Sequence, residues 1–401
     1  MTSAREVARR VLVRVEDGAY SNLVLPEALR RTGLSARDRA FATDLVYGTL
    51  RAQRRLDARL APHSRRPLDQ LDPAARSALR LGAYQLERGV ASHAAVGETV
   101  AVAPTRVRGY VNAVLRALAA TGPPWPTLPH DGEALSYPDW MLRRLDADLG
   151  VADARAALAV QNEPPLVTLR PNPRRTTAAA LTAELAADAV ASPGVVAPDA
   201  IAVRGAGDPA TLPAVAEGRA TPQDEASQAV VALMDPAPAA RVLDVAAAPG
   251  GKATALAERV TDGVVVALDV QPGRLTLVGA AARRLGLDTV HAVLGDGRWP
   301  PVAPGSVDHA LVDAPCSGLG VLRRRPEARW RVPEPTEALT DLQLGLLVGA
   351  AATLRPGGHL LYSVCTLTRA ETIDVAEAAR AALPGFAVLD PPAPPWRPWG
   401  A

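Results

Sequence analysis

VLDVAAAPGGKATAL, residues 242–256, reads as an apolar run closed by Asp244, a turn built on Pro249, Gly250 and Gly251, and the start of a helix. Strand, glycine turn and helix in that order open a doubly wound parallel sheet. Lys252 follows the double glycine directly, and it is the sole lysine among 44 basic residues. The turn is not a phosphate-binding P-loop, because the G-x-x-x-x-G-K-[ST] spacing is missing. An ammonium is a compact point charge and a guanidinium a planar fork. A single lysine kept at this point therefore predicts a tight pocket that arginine would not fit.

Four further apolar runs extend the pattern: GVVVALDV (263–270), VHAVLGD (290–296), VDHALVDAP (307–315) and HLLYSVCT (359–366). Helical segments separate most of them. The runs are continuous rather than alternating, as strands buried on both faces require. In such a sheet, ligands bind beyond the carboxyl ends of the strands. Those ends carry Asp244, Asp269, Asp296, Asp313 with Cys316, and Cys365. Taken singly, each has an ordinary structural explanation: a tight turn, a helix N-cap, a small buried cysteine. Their coincidence at all five ends points to one rim that binds an adenosyl group and carries two thiols. Asp269 lies about 20 residues beyond the glycine turn, the spacing at which a carboxylate binds ribose hydroxyls.

The rest of the chain has a different character. At 401 residues it suggests two or three domains. Residues 1–120 hold 20 arginines against 11 acidic residues, a net +9, which leaves −7 for the remainder of a chain whose total is +2. A basic module joined to an acidic one suggests a polyanionic partner, with nucleic acid leading; a solvated, arginine-biased helical surface is the plain alternative. Runs such as AREVARRVLVRVEDG, with Val7, Val11, Leu12 and Val15 at helical spacing, predict an all-α region over 1–122. A proline-rich linker follows at 123–138, then a small α/β subdomain at 139–225, the parallel sheet at 226–390 and a proline-rich tail at 391–401. No run is long and apolar enough to suggest a membrane span, and no secretory signal is recognisable. Two cysteines are too few for a disulfide framework or a zinc site, so no metal is expected and the cytoplasm is the expected compartment.

The ordered set DVAAAPGGK, ALDV, GDGR, DAPCSGLGVLRRRPEARW and YSVCT resembles the RNA cytosine-5 methyltransferases that use S-adenosylmethionine. RDRAFATDLVYGTLR and GYVNAVLRALA look like a NusB-like domain, and NEPPLVTLRPN and TPQDEASQ look like the family's connecting pieces. Together they resemble the ribosomal RNA small subunit methyltransferase B family, which modifies a cytosine in 16S rRNA. The resemblance implies an all-α NusB-like domain, a small α/β insertion and a Rossmann-like class I methyltransferase sheet. It also implies S-adenosyl-L-methionine as cofactor and RNA, above all 16S rRNA, as partner of a monomer.

By the same resemblance, Cys365 is the nucleophile, Cys316 releases the product, and Asp313 contacts the cytosine and borders the cofactor. Ala246, Ala247, Ala248, Pro249, Gly250, Gly251 and Lys252 wrap the methionine end, Asp269 holds the ribose, and Asp296 lies near the adenine. The chemistry explains two thiols: carbon 5 of cytosine becomes nucleophilic only after a thiolate adds to carbon 6. LRRRPEARWR (322–331) follows the Cys316 segment, and Arg323, Arg324, Arg325, Arg329 and Trp330 are expected to meet RNA phosphate and an unstacked base.

Two departures stand out. Val364 and Ala253 occupy positions where the family often has Thr. The sequence after PGFAVLD (384–390) closes in PPAPPWRPWGA, where the family continues with a last strand hairpin. A hairpin missing there favours a non-catalytic RNA-binding or ribosome-assembly protein as the alternative; the same chemistry on tRNA is another.

Overall fold

The computed structural model describes residues 2–187, 189–205, 207–331 and 335–390, so the proline-rich tail 391–401 lies outside the described residues. The chain divides into two compact units. One comprises the residues up to Pro165 together with 320–332, the other Leu166–Leu319 together with the chain from residue 333.

The first unit is helical: α1 (Ala4–Glu16), α2 (Ser21–Arg30), α3 (Ala36–Leu60), α4 (Pro73–Glu87), α5 (Ser92–Val102), α6 (Arg108–Thr121), the short α7 (Asp131–Ala134), α8 (Asp139–Leu149) and α9 (Val151–Val160). Local chemistry starts these helices. Ser3, Ser35 and Asp72 accept backbone N–H bonds from the first turns of α1, α3 and α4, and Pro73 opens α4 where no N–H is needed. Val7, Val11, Leu12 and Val15 are buried as one stripe of α1, packed with Leu45, Val46 and Leu79. Gly48 lets α3 and α4 approach closely, since a Cβ there would lie 2.0 Å from the Tyr84 ring. Residues 139–160, which composition groups with the α/β subdomain, pack as α8 and α9 in this helical unit.

The second unit holds two sheets. The smaller is antiparallel, β1 (Val167–Pro171), β2 (Val190–Pro193), β3 (Ile201–Arg204) and β4 (Ala220–Pro222) in the order β2-β3-β1-β4, with α10 (Ala178–Leu185) and α11 (Pro213–Ala216) between its strands. After α12 (Glu225–Met234) the larger sheet begins: β5 (Arg241–Asp244), α13 (Gly251–Arg259), β6 (Val264–Asp269), α14 (Pro272–Leu285), β7 (Val290–Leu294), β8 (Val307–Asp313), α15 (Thr336–Thr353), β9 (Leu354–Ser363) and α16 (Val375–Ala382). All its pairings are parallel, in the order β7-β6-β5-β8-β9. Val242, Val265, Ala267 and Leu311 face a core with α12, α13 and α14, while Leu243, Leu268, Ala310 and Val312 face one with α15. The central strands β5, β6 and β8 are thus buried on both faces, as their unbroken apolar runs require, while the edge strands β7 and β9 are largely exposed or half-buried despite similar runs.

The chain leaves β5 toward β6 and β7, then returns to β8 on β5's other side. That reversal opens a crevice at the carboxyl ends of β5 and β8. Among the described residues, β9 pairs on one side only, with β8.

Candidate active site

Asp244 closes β5 at the reversal point. Its carboxylate is buried, and neither oxygen has a hydrogen-bond partner. Burial pushes its pKa up to about 7, with the Asp313 carboxylate adding to the shift and Lys252 opposing it. The turn that follows is fixed by its backbone. The Ala247 N–H donates to Leu268 O at 2.9 Å, the Gly250 N–H donates to Ala247 O at 2.7 Å, and Gly250 adopts φ +104°. A side chain at Gly250 would also meet the Cα of Val278 at 3.0 Å. Both facts demand glycine.

Lys252, in the first turn of α13, places Nζ 2.5 Å from Asp313 Oδ2 at the end of β8. Its side chain is 14% exposed, and the ammonium also acts electrostatically on Asp244. The lone lysine therefore serves two carboxylates from adjacent strands. Asp269, at the end of β6, accepts from the Ala248 N–H at 3.0 Å and the Gln271 N–H at 2.9 Å, so its carboxylate is oriented by the turn it faces. Asp296 lies beyond β7 and is clasped by Arg298, whose hydrogen bonds hold its pKa below the usual carboxylate range.

The two thiols converge. Cys316 Sγ lies 3.3 Å from Cys365 Sγ although the residues are 49 positions apart. Cys365 is exposed and Cys316 half-buried. The hydrogen bond to Cys365 and burial together push the Cys316 thiol above the usual cysteine range. Ser317 and Thr366, the residues following each cysteine, join through their hydroxyls at 2.8 Å.

A sequence model described as "16S rRNA methyltransferase RsmB/F" matches residues 231–387, the NusB family model matches 2–120, and a ferredoxin-like domain of RsmF/B-type methyltransferases matches 137–209. Ribosomal RNA small subunit methyltransferase B of Thermus thermophilus is 36% identical over 95% of this chain and 88% of its own length. The chain belongs to the ribosomal RNA small subunit methyltransferase B family. A Mycobacterium tuberculosis (H37Rv) protein is 40% identical over 94% of the chain and 86% of its own length. The crystal structure of PH0851 superposes with TM-score 0.81 at 25% identity, covering 99% of this chain and 94% of that one. A Pyrococcus horikoshii methyltransferase homologue gives TM-score 0.55 at 26% identity over 63% of this chain and 81% of its own. The chain is thus an RNA methyltransferase of this family, whose methyl donor is S-adenosylmethionine. No helix among the described residues is long and apolar enough to cross a membrane.

The arginine run at 322–331 corrects part of the sequence reading. Arg329 is fully buried within the helical unit, where its guanidinium stacks 3.9 Å from the Tyr137 ring centroid. It donates to Arg51 O at 3.0 Å, Gln161 O at 3.0 Å and Asn162 Oδ1 at 2.7 Å. Burial pulls its pKa down to about 10. It cannot reach a phosphate. Trp330 spends its indole N–H on Leu50 O at 3.3 Å. Arg323 is half-buried and holds the Glu163 and Pro164 carbonyls, Arg324 is half-buried, and Arg325 is exposed. Of the five, Arg325 alone is exposed.

Sequence reasoning missed Arg170, in β1. It grips Glu258 of α13 with two hydrogen bonds of 2.8 and 2.9 Å, donates to Gly251 O at 2.8 Å and to Thr254 Oγ1 at 3.1 Å, and also contacts Gln223. It ties the small sheet to the helix that carries Lys252. It missed Glu371 as well. Neither position stands out by spacing or composition.

Proposed function

We infer that the protein transfers a methyl group from S-adenosylmethionine to carbon 5 of a cytosine in 16S rRNA, through a covalent bond to Cys365. The observation that carries this reading is the 3.3 Å approach of an exposed and a half-buried thiol just beyond the ends of β9 and β8.

The donor site fits the cofactor's groups. Asp244 offers two buried carboxylate oxygens without partners, suited to a cationic amino group. Asp269 presents an oriented carboxylate to ribose hydroxyls. When bound, the cofactor supplies an electrophilic methyl group on sulfonium. The Cys365 thiolate adds to carbon 6 of the extruded cytosine, and the displaced electron pair makes carbon 5 enamine-like. Asp313, which Lys252 holds through Oδ2, is assigned to favour addition by passing a proton to ring nitrogen 3 as the carbon–sulfur bond forms. Once carbon 5 has taken the methyl group, its proton passes to water, ring nitrogen 3 gives its proton back to Asp313, and the carbon 6–sulfur bond breaks to return the Cys365 thiolate. Cys316, next to that sulfur, serves the release step. Arg325 and the basic surface of the helical unit are assigned to the RNA backbone, and the cytoplasm is the assigned compartment.

The test is transfer of a labelled methyl group to unmodified 16S rRNA, with the modified base mapped. One 5-methylcytosine is expected. Cys365→Ala should abolish transfer, and Cys316→Ala should accumulate a covalent RNA–protein adduct. Methylation of tRNA instead, or RNA binding without transfer or adduct, would overturn the assignment.

A further inference from the structure

Glu371 lies six residues beyond Cys365, in a π-helical turn (Ala370–Asp374) that precedes α16, and its side chain is 2% exposed. A buried carboxylate needs several donors, and this one has them from three segments. Oε2 accepts the Ser317 N–H at 2.7 Å, from the residue directly after Cys316. Oε1 accepts the Thr368 hydroxyl at 2.9 Å, three residues after Cys365. The Gln343 amide of α15 donates to Oε2 at 3.2 Å and to Pro315 O at 2.9 Å, directly before Cys316. The Tyr362 hydroxyl, from the last turn of β9 before Cys365, donates to the Glu371 carbonyl at 2.7 Å. Every protein segment that flanks either thiol is therefore fastened to this one residue or to its neighbour Gln343.

We propose that Glu371 is the positioning residue that sets the two thiols in register. It does not touch the reacting atoms, since its carboxylate is enclosed by protein donors. Its role rests on the reading of Cys316 and Cys365 as the working thiols. Without its two acceptor oxygens, the Cys316 segment loses its anchor on the Ser317 N–H and the Cys365 segment loses Thr368. A displacement of about 1 Å in a reacting group costs on the order of 100-fold in rate.

Glutamine separates positioning from charge. In Glu371→Gln the amide oxygen can still accept from Ser317 and Gln343, and the amide nitrogen can donate to a rotated Thr368 hydroxyl. The experiment compares the wild type, Glu371→Gln and Glu371→Ala, each first shown to be folded by circular dichroism. Two readouts follow. One is the rate at which diamide, taking up two electrons and two protons, closes a Cys316–Cys365 disulfide, followed by peptide mass spectrometry. The other is kcat and KM for S-adenosylmethionine with unmodified rRNA.

Glu371→Ala should slow disulfide closure and lower kcat by about 100-fold, with KM for the cofactor within about twofold. Glu371→Gln should recover both rates to within about tenfold of wild type. A folded Glu371→Ala with wild-type disulfide kinetics would overturn the proposal. So would a Glu371→Gln as impaired as the alanine variant, because charge rather than geometry would then be at work. If the wild type transfers no methyl group at all, the assigned reaction fails, and the disulfide kinetics still decide the positioning role.

Discussion

Arg170 and Arg329 are both deeply buried cations, yet their surroundings differ. Arg170 faces a carboxylate, Glu258, in a two-point pair with side chains 8% and 3% exposed. Arg329 has no carboxylate among its described contacts; it rests on backbone carbonyls, one amide oxygen and the face of Tyr137. A charge countered by a charge leaves an orphan when either partner is lost. A charge dissolved in carbonyl dipoles leaves only weakly demanding groups. The Arg51 carbonyl, for example, lies in the middle of α3 with its own helical acceptor role. The first arrangement makes a joint fragile to single substitutions. The second makes one tolerant of them.

The sharpest way to break this comparison is Arg170→Met. It should destabilise the protein by about 3–5 kcal/mol in urea unfolding at pH 8. Burial already raises the Glu258 pKa, while Arg170 pulls it down, so removing Arg170 raises it further. A carboxylate whose folded pKa exceeds its unfolded value binds extra protons in the native state. Its stability is present at low pH and lost as pH rises through the folded value. The defect of Arg170→Met should therefore shrink toward pH 5, and Glu258→Gln added to it should restore much of the loss at pH 8. A defect independent of pH would show that the pair is not the cause.

Asp244 extends the comparison to a buried carboxylate whose oxygens accept no side-chain hydrogen bond and on which Lys252 acts only electrostatically. Its pKa of about 7, raised by burial above the ordinary 3.8, gives the same sign. Between about pH 4 and pH 7 the wild type loses stability, on the order of a few kcal/mol, because the unfolded chain gives up this proton while the native state keeps it. Asp244→Asn mimics the protonated form. In the cofactor-free protein it should gain steadily on the wild type as pH rises from about 4 to about 7, hold that gain above pH 7, and show none at pH 4. The same substitution should weaken S-adenosylmethionine binding by at least about tenfold in calorimetry, because the acceptor for a cationic group is gone. Greater stability with unchanged affinity would remove Asp244 from the cofactor site.

The centre of the larger sheet was legible because β5, β6 and β8 are buried on both faces, and that burial writes itself into unbroken apolar runs. The five strand ends were legible for the same reason: once the runs are placed, the residues after them fall on one rim. Lys252 could be singled out only because arginine replaces lysine everywhere else. The arginines at 323–329 could not be sorted, since identical residue types within one run end in opposite environments. What buries Arg329 is Arg51, Tyr137, Gln161 and Asn162, all more than 150 positions away in sequence. Glu371 was hidden by a related cause. A buried carboxylate is specified by its donors, here Ser317, Gln343 and Thr368, and no local pattern announces them.

That sorting gives the finest test of the comparison. Arg329→Met and Arg325→Ala remove the same charge from the same ten-residue run. Arg329→Met gives up hydrogen bonds to carbonyls and recovers the cost of desolvating a guanidinium, so the loss should be about 1–3 kcal/mol and flat between pH 5 and pH 9. Its RNA affinity should keep the wild-type dependence on salt, because a buried cation releases no counterions from RNA. Arg325→Ala should leave unfolding unchanged and lower the slope of log affinity against log salt by about 1, the signature of one lost phosphate contact. A reduced slope for folded Arg329→Met would mean that the buried guanidinium reaches RNA after all. An unchanged slope for Arg325→Ala would move the RNA path off this segment and onto the arginines of the helices.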